Sequence, residues 1–573
     1  MDWMYLFYFS LALVIFFGAK SYAPGGWNEE YTSLKQTKSL LGITALGITL
    51  HHMAQKSCAP WHPATYMVHG LDIFVGIGYL FVAVFLFCSG LGLYRSLHAK
   101  PDYLKHFIRR RILPVVIAFY LSEFIYTGIR LLMGEKMNLT KILWYLSGLH
   151  MANFNAWYVI VIPFFYLAFW AAFRFCRREG FAIFWVFVFT LAYTVLGALI
   201  DHQNDWWMRG EWWYNSILLF PLGILFGRFE KPVTRFLKKG YWFWLVLSFA
   251  GLILLYFLSE RLNSTVWGYY GEWGDRLKVQ HRLMSAAGQW LVCLFYVAFW
   301  FLLMMKVQFG NRVLTWLGSV TLELYLMHGI FVELFGYNFL DITKSIVYIR
   351  NVPLFILAVL GCSVPATLIF RWILRKITSP LTKPEQPLPP EEKRERKLQA
   401  IQRKEKTQRV FRIAGRLVFP VMFLAVSLVM LFGFRQGDDR TVGNLRVIPP
   451  EGYALASSDS RQAIWKYTRD DRKPGVLILD TEIRGENAQR FSDADAVLKE
   501  CSWLTEAELY VNPQGIRMVR GYSRDFSGYP ERRYYIESDQ AVFLLCMIED
   551  SRYYDPSACE EAMKQAADSI RRI

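Results

Sequence analysis

The chain has 573 residues, 54% of them apolar, and its mean hydropathy of +0.23 excludes both a disordered chain and an ordinary soluble enzyme. Only 19% of the residues are charged, yet Lys and Arg outnumber Asp and Glu by 64 to 47. A basic excess in an apolar chain is typical of a membrane protein that keeps its basic loops in the cytoplasm. We therefore exclude nucleic acid as a partner.

Apolar segments of about 17–25 residues, long enough to cross a hydrocarbon core of about 30 Å, recur along the chain. They predict an all-α polytopic membrane bundle of about twelve transmembrane helices. The helices are expected at residues 3–19, 38–55, 71–94, 108–133, 155–175, 181–200, 213–229, 241–258, 284–306, 312–335, 353–374 and 414–434.

The basic residues predict how these helices are oriented. No Lys or Arg precedes the first apolar segment, whereas Lys20 and Lys35 follow it. We therefore expect an uncleaved helix rather than a signal peptide, with its amino terminus outside. With that start, every strongly basic loop lies inside, including residues 95–111 and 375–416. An even number of spans then returns the chain to the side on which it began, so residues 435–573 lie outside a bacterial plasma membrane.

The composition changes after the eleventh predicted span. Residues 377–413 are predicted to form a basic cytoplasmic linker helix, and residues 414–434 the last transmembrane helix. Alternating polar and apolar runs then predict a small extracytoplasmic α+β domain at 440–573. Two helices are expected there, one from Ser492 and one after Pro556. Strands are expected at 463–469, 475–483, 508–511, 516–522, 533–537 and 542–548.

The cysteines and histidines divide between the two parts of the chain. Five of the eight cysteines lie in or beside apolar segments, where packing is their ordinary role. Cys501, Cys546 and Cys559 fall in the C-terminal domain, and which of them pair is left open, as is the oligomeric state. All ten histidines precede residue 330, which excludes a Ser-His-Asp hydrolase in that domain.

Several ionisable residues fall deep inside the predicted spans. At 1.5 Å per residue from the cytoplasmic end, His51 and His52 lie about 20 Å up the second span and Glu123 about 22 Å up the fourth. Glu323 and His328 lie about 17 and 24 Å up the tenth. A lone membrane histidine is often only an interhelical hydrogen bond, but so many polar residues at one level favour a polar cavity. Four more residues lie at this level, at the starts of the third and fifth predicted spans: His69, Asp72, Asn155 and Trp157.

A second group of residues lies at the predicted cytoplasmic side. Ser89 and Gly90 come near the end of the third span, and a run of basic residues follows. Guanidinium groups at a helix start near a Gly-rich turn suit a phosphate-bearing ligand, although the positive-inside rule alone would also put arginines here. A Ser-Gly pair is more often a packing feature than a nucleophile. The arginines are Arg95, Arg109, Arg110 and Arg111.

In their order along the chain, these segments resemble the acyltransferase-3 family of multi-pass membrane O-acyltransferases. Gly42-Ile43 leads to His52, which matches the family histidine, and Phe85 to Gly90 resembles its Phe-Phe-x-x-Ser-Gly stretch. The resemblance covers residues 33–376 and leaves 1–32 as an extra N-terminal transmembrane helix. Other matching segments are 110–114, 156–158, 221–224 and 317–328.

The resemblance implies transfer of an acyl group, most simply acetyl, from cytoplasmic acyl-CoA to a hydroxyl of an extracytoplasmic glycan or glycolipid, without a metal. His52 would be the general base, a carboxylate such as Glu323 or Glu123 would hold its tautomer, and His328 belongs to the same catalytic set. Membrane lipid would surround the bundle. The four arginines with Ser89 and Gly90 would bind the acyl-CoA. The acceptor would contact His51, His69, Asp72, Asn155 and Trp157.

One position departs from the family pattern. The family's arginine falls at Leu41, which can neither bind an anion nor polarise a carbonyl. Lys38 lies one turn nearer the cytoplasm and is long enough to substitute, so it joins the predicted catalytic residues. Two other interpretations stay open: a polytopic transporter that uses the same cavity, and an inactive membrane anchor for the C-terminal binding module.

Overall fold

The structure, a computed structural model, divides the chain into two compact units. The first comprises residues 1–262 and 283–427, and the second comprises residues 263–282 and 428–573. The described residues are 3–59, 67–135, 137–200, 210–265, 277–337, 347–382, 440–442, 445–450, 452–458, 462–467, 476–480, 493–501, 504–523, 531–538, 542–548 and 555–572.

The membrane part is built from α-helices. Those described up to residue 382 are α1 (Trp3–Phe16), α2 (Leu34–Ser57), α3 (Gly78–Ala99), α4 (Leu113–Leu132), α5 (Leu139–Ser147), α6 (Trp157–Phe175), α7 (Glu179–Leu199), α8 (Leu219–Lys239), α9 (Tyr241–Thr265), α10 (Lys278–Lys306), α11 (Arg312–Leu317), α12 (Thr321–Phe335) and α13 (Val352–Thr382). A two-residue ribbon joins β1 (Lys20–Ser21) to β2 (Val307–Gln308).

Within the described residues, seven helical segments are long and apolar enough to cross a membrane, which confirms a multi-pass helical bundle. Helices α1 and α12 are not among them, because their 14 and 15 residues are fewer than the about 20 that a helix needs to cross the hydrocarbon core. Eleven of the twelve predicted spans coincide with described helices, and the twelfth, 414–434, lies outside the described residues. The seven are Gly78–Ala99, Ile108–Leu132, Phe154–Phe175, Glu179–Leu199, Tyr241–Thr265, Lys278–Lys306 and Val352–Leu381.

Three predicted spans differ from the observed helices. The seventh was expected at 213–229, but α8 begins at Leu219 and ends at Lys239. The third was expected to begin at residue 71, but a short 3₁₀ turn, Asp72–Phe74, precedes α3. The tenth was expected to be one helix, but it breaks between α11 and α12. A Cβ on Gly318, in that break, would overlap the carbonyl oxygen of Lys38. The break therefore lets the chain approach α2 more closely than a continuous helix with side chains would allow.

The C-terminal unit is an α+β domain, as predicted. Its seven-stranded antiparallel sheet has the order β5-β6-β7-β11-β10-β9-β8, and each of the six predicted strands has a counterpart in it. The described strands are β3 (Arg440–Val442), β4 (Leu445–Val447), β5 (Tyr453–Ser458), β6 (Gln462–Tyr467), β7 (Leu477–Asp480), β8 (Thr505–Val511), β9 (Arg517–Ser523), β10 (Glu531–Glu537), β11 (Val542–Ile548) and β12 (Arg571–Arg572).

Two helices cover the faces of this sheet. Helix α15 (Pro556–Ser569) packs Met563 against Trp465 and Tyr534 on one face. Helix α14 (Ala494–Glu500) packs Val497 on the other. Both helices were predicted, and Asp residues cap their first turns. Two apolar layers on opposite sides of the sheet give the domain its own core.

Candidate functional site

Two histidines from distant parts of the chain meet in the core of the bundle. His52 Nδ1 on α2 lies 2.7 Å from His328 Nε2 on α12, and the ring planes differ by only 5°. His52 is 7% exposed and His328 is fully buried. His328 Nδ1 lies 2.8 Å from the carbonyl oxygen of Leu324. The three groups form a continuous hydrogen-bonded relay.

The chemistry of a carbonyl fixes the direction of this relay. Because a carbonyl oxygen only accepts, His328 must donate from Nδ1, so in the neutral ring Nε2 is the acceptor. His52 then donates from Nδ1 to His328, which leaves the lone pair on His52 Nε2. Nothing among the described residues hydrogen-bonds that nitrogen, so it is the atom of the pair that can take a proton from a substrate.

The two carboxylates expected to hold His52 have other partners. Glu123 accepts hydrogen bonds from the backbone amides of Ala152 and Asn153, at 2.6 and 3.3 Å. Glu323 lies 3.7 Å from Arg371. The expectation that either one orients His52 is therefore not met, because His328 fills that position.

A cavity of about 630 Å³ lies among α2, α3, α4, α6 and α12, and neither His52 nor His328 is among its lining residues. Tyr325, one turn before His328 on α12, lines the cavity, and its ring centroid is 6.4 Å from that of His52. Tyr158 packs 5.9 Å from Tyr325 and lines it too. Much of the wall is apolar, and the remaining polar and basic lining residues are Thr37, Ser89, Arg95, Ser96, Lys100, Arg111, Tyr166 and Thr321.

The four arginines of the predicted donor site separate into two groups. Arg95 and Arg111 line the cavity, whereas Arg109 and Arg110 are exposed and do not. Arg95 also hydrogen-bonds Thr32 and pairs with Glu230. Arg109 donates to the carbonyl oxygen of Pro380, at 2.7 Å. The cavity thus has a guanidinium-rich part formed by two of the four predicted residues.

Ser89 and Gly90 do not form a turn, because both lie within α3. Ser89 lines the cavity and shares a 2.7 Å hydrogen bond with the hydroxyl of Tyr166. Gly90 faces α8, where a Cβ would overlap the carbonyl oxygen of Phe220. Gly90 is therefore a packing residue, and of the predicted pair only Ser89 can contact a ligand in the cavity.

Helix α2 presents one face to the cavity. Leu34, Thr37 and Leu41 line it, spaced by three and four residues as one helical face requires. Lys38 is half-buried and is not among the lining residues. The apolar Leu41 therefore occupies the cavity wall where the family has its arginine, and Lys38 does not replace it there.

The five residues assigned to the acceptor lie in different places. His51 Nδ1 is 2.7 Å from the carbonyl oxygen of Phe74, and its ring centroid is 5.2 Å from that of His52. Asn155 lies close to Gly329, the residue after His328. Trp157 is buried against Trp213, at 5.9 Å. These three lie in the half of the bundle that contains the histidine pair.

His69 and Asp72 form a separate, exposed pair before α3. His69 Nδ1 lies 2.5 Å from Asp72 Oδ1, and the Gly70 amide donates to Asp72 Oδ2 at 2.7 Å. Partial burial opposes ionisation, but these hydrogen bonds outweigh it and hold the pKa of Asp72 below its usual value. This pair is not in contact with the histidines of the core.

Sequence reasoning missed a buried charged cluster around Arg130. Its guanidinium donates to the Ala152 carbonyl oxygen at 2.7 Å and to Glu135 at 3.0 Å, and lies 3.8 Å from Glu333. Arg130 and Glu135 side chains are 5% and 1% exposed. Arg130 lies near the end of an apolar span, where the sequence made it look like a flanking residue.

Tyr325 was also missed, although its spacing of three from His328 places both on one helix face.

Together the bundle and the site define a multi-pass membrane protein with a buried histidine pair next to Tyr325, which lines a partly cationic cavity. The acyltransferase-3 family model, described as an acyltransferase domain, matches residues 40–372, more than half of the chain. The chain belongs to this family and is a membrane acyltransferase. No curated protein matches the chain.

Proposed function

We propose that the protein transfers an acyl group, most simply acetyl, from cytoplasmic acyl-CoA to a hydroxyl of an extracytoplasmic glycan or glycolipid. The observation that carries this proposal is the free Nε2 of His52, whose ring lies 6.4 Å from that of Tyr325, a residue that lines the same cavity as Arg95 and Arg111. A thioester needs an apolar tunnel for its arm, and its phosphates need cations. The cavity offers both.

In the proposed reaction His52 Nε2 removes the proton from the acceptor hydroxyl as its oxygen attacks the thioester carbonyl. The new C–O bond forms, the C–S bond breaks, and the leaving thiolate receives the proton from His52. His328 keeps the His52 ring in the required tautomer by accepting from Nδ1. No metal enters this scheme.

The orientation follows from the loop charges. The membrane is a bacterial plasma membrane, and Arg95 and Arg111 face the cytoplasm, where acyl-CoA is made. The amino terminus and the domain after residue 440 are extracytoplasmic, and the acceptor reaches His52 from that side. This assignment rests on the basic loops and on the positions of Arg95 near the end of α3 and Arg111 just before α4.

The test is transfer of radiolabelled acetyl from acetyl-CoA to envelope material, in membranes with matched protein levels. His52→Ala should reduce the label by about 10²–10⁴-fold, the usual contribution of a general base. Lys38→Ala should cost less, because Lys38 lies roughly 21 Å along α2 from His52. His98→Ala is the control, since His98 is half-exposed and lies outside the cavity lining.

The outcomes separate the alternatives. Full activity of His52→Ala would contradict the base assignment. Absence of label with wild type on every fraction would contradict acetyl-CoA as the donor, and the same membranes would then be assayed with longer acyl-CoA chains. Uptake of an unmodified solute by wild type, without any acyl product, would favour a transport function.

A further inference from the structure

The Arg95 guanidinium is held by acceptors from two other parts of the membrane unit. Nη1 donates to the carbonyl oxygen of Thr32, and Nη2 donates to Thr32 Oγ1 and to Glu230 Oε1, each at 2.5 Å. Thr32 Oγ1 in turn donates to Glu230 Oε1 at 2.6 Å. These three side chains are bonded to one another in a closed ring, which we call the Arg95 clamp.

The clamp leaves part of the guanidinium available to a ligand. Arginine has five N–H donors, and the clamp uses three of them. The Nε–H and one N–H of Nη1 have no acceptor among the described residues, and Glu230 hydrogen-bonds only Nη2. The Arg95 side chain is 34% exposed and lines the cavity, whereas Thr32 is 5% exposed. A buried residue therefore sets the position of a guanidinium that still has two donors.

The segment that contains Thr32 is fastened to the end of α10. Its strand β1 pairs with β2, which directly follows α10. Asn28 is buried, and its Nδ2 donates to the carbonyl oxygen of Met304 at 3.0 Å. Lys306 Nζ donates to the carbonyl oxygen of Gly26 at 2.6 Å. The position of Thr32 is therefore set by contacts within the protein that do not involve the cavity.

Thr32 lies outside the part of the chain that the family model matches, which begins at residue 40. The sequence presented residues 1–32 as an extra transmembrane helix, whose ordinary role is to anchor the chain. The bonds from Thr32 to Arg95 place the end of this extension beside the cavity. Leu34, two residues further along the chain, lines the cavity itself. The extension thus contacts a residue of the predicted donor site.

An arginine that is already held in place binds an anion at a lower entropic cost. Its long side chain loses rotational freedom when it meets a phosphate, and a restricted side chain has less freedom to lose. Without the Thr32 hydroxyl, Arg95 would lose one bond and Glu230 another, while the bond to the Thr32 carbonyl oxygen would remain. The guanidinium would be less restricted, so the change should weaken phosphate binding and leave the chemical step unaffected.

We propose that Thr32 is a positioning residue of the donor site, which holds the Arg95 guanidinium so that its two remaining donors bind a phosphate of acyl-CoA. This inference rests on the proposed function, because it needs a phosphate-bearing donor in the cavity. It gives the N-terminal extension a part in donor binding in addition to membrane anchoring.

The test is calorimetric titration of the full chain in lipid nanodiscs with coenzyme A. Thr32→Val keeps the shape of the side chain but removes the hydroxyl, and should raise the Kd for coenzyme A by about three- to tenfold. Thr32→Ser restores the hydroxyl and should bind like wild type. Thr234→Val is the matched control, because Thr234 Oγ1 on α8 shares a 2.5 Å hydrogen bond with the hydroxyl of Tyr31. It removes a bond between the same segment and α8 that does not involve Arg95, so its Kd should be unchanged.

Steady-state kinetics gives a second readout. Thr32→Val should raise KM for acetyl-CoA by a similar factor and leave kcat unchanged, since Thr32 acts on binding through Arg95. A fall in kcat at unchanged KM would contradict the positioning role.

The outcomes separate this inference from the proposed function. Equal affinity of Thr32→Val and wild type for coenzyme A would overturn the inference alone. So would an equal loss in Thr32→Ser or Thr234→Val, which would show that packing of the segment, and not the Thr32 hydroxyl, is responsible. Absence of coenzyme A binding by wild type would contradict the proposed donor and this inference with it. Binding of coenzyme A without acyl transfer would count against the proposed function only.

Discussion

His52 and His328 are 276 residues apart in the chain, yet they share one hydrogen bond. The depth of His52 in the second predicted span indicated a costly buried polar residue, and the family resemblance made it the candidate base. The sequence could not pair it with His328, since such a contact depends on how α2 and α12 pack. The two carboxylates were the plausible partners by chemistry alone. The packing instead gave the orienting role to an imidazole held by the Leu324 carbonyl oxygen.

The relay predicts the effect of replacing His328. His328→Ala leaves His52 Nδ1–H without its acceptor, so the required tautomer is no longer selected. We expect kcat to fall by about 10²-fold or more, with KM for acyl-CoA unchanged, because His328 does not line the cavity. Steady-state kinetics checks this.

A conservative variant separates this role from structural support. His328→Gln retains an oxygen that can accept from His52 and should recover part of the lost kcat. An equal loss in both variants, together with a lowered melting temperature, would mean that His328 mainly packs the core.

The exposed pair of His69 and Asp72 predicts a dependence of stability on pH. The pKa of Asp72 is lowered in the folded protein, so its contribution is complete above the unfolded value of about 3.9 and is lost as the pH falls through the folded value. Asp72→Asn should lower the melting temperature by about 1–2 °C at pH 7, and the difference should shrink steadily as the pH falls below about 3.9. A difference that persists in acid would show that the charge is not the cause.

At the scale of elements, α3 and α8 approach each other through reciprocal glycines. A Cβ on Gly90 would overlap the Phe220 carbonyl oxygen, and a Cβ on Gly223 would overlap that of Phe87. The sequence presented Gly90 as part of a phosphate-binding turn, because a Ser-Gly pair followed by basic residues has that pattern. Only the packing of α8 against α3 shows that Gly90 allows the two backbones to come into close contact.

Two glycines of α3, Gly90 and Gly92, allow a matched test of this contact. Gly90→Ala must separate α3 from α8 and should destabilise the protein by about 1–3 kcal/mol. Gly92→Ala, two residues further on the same helix, meets no atom within 4 Å and should be neutral or stabilising by about 0.4–1 kcal/mol. Thermal denaturation of the two variants measures the difference. Equal melting temperatures would contradict the close approach.

At the scale of the whole molecule, hydropathy identified the multi-pass bundle, and composition identified the appended α+β domain. Both were predictable because apolar length and alternating polarity are local properties of the chain. The break at Gly318 was not, since it reflects the approach of the chain to α2. The predicted linker helix at 377–413 stays a prediction beyond Thr382, where the described part of α13 ends.

The orientation of the molecule can be tested directly. A reporter that is active only after export, fused after Ile573, should be active, and the same reporter fused within the basic loop after Ala99 should be inactive. Cell fractionation with matched expression checks both fusions. An active reporter in the basic loop, or a cytoplasmic reporter that works at the C-terminus, would reverse the proposed topology.

The relay from Leu324 to His52 also has a consequence for energy coupling. Among the described residues it contains no carboxylate and ends on a backbone carbonyl, which holds no proton. In the proposed reaction the proton taken from the acceptor is returned to the leaving thiolate within one turnover. No proton is then exchanged with the water on either side, so the transfer step is electroneutral. Collapsing the transmembrane proton gradient in vesicles supplied with both substrates should leave the rate of acyl transfer unchanged.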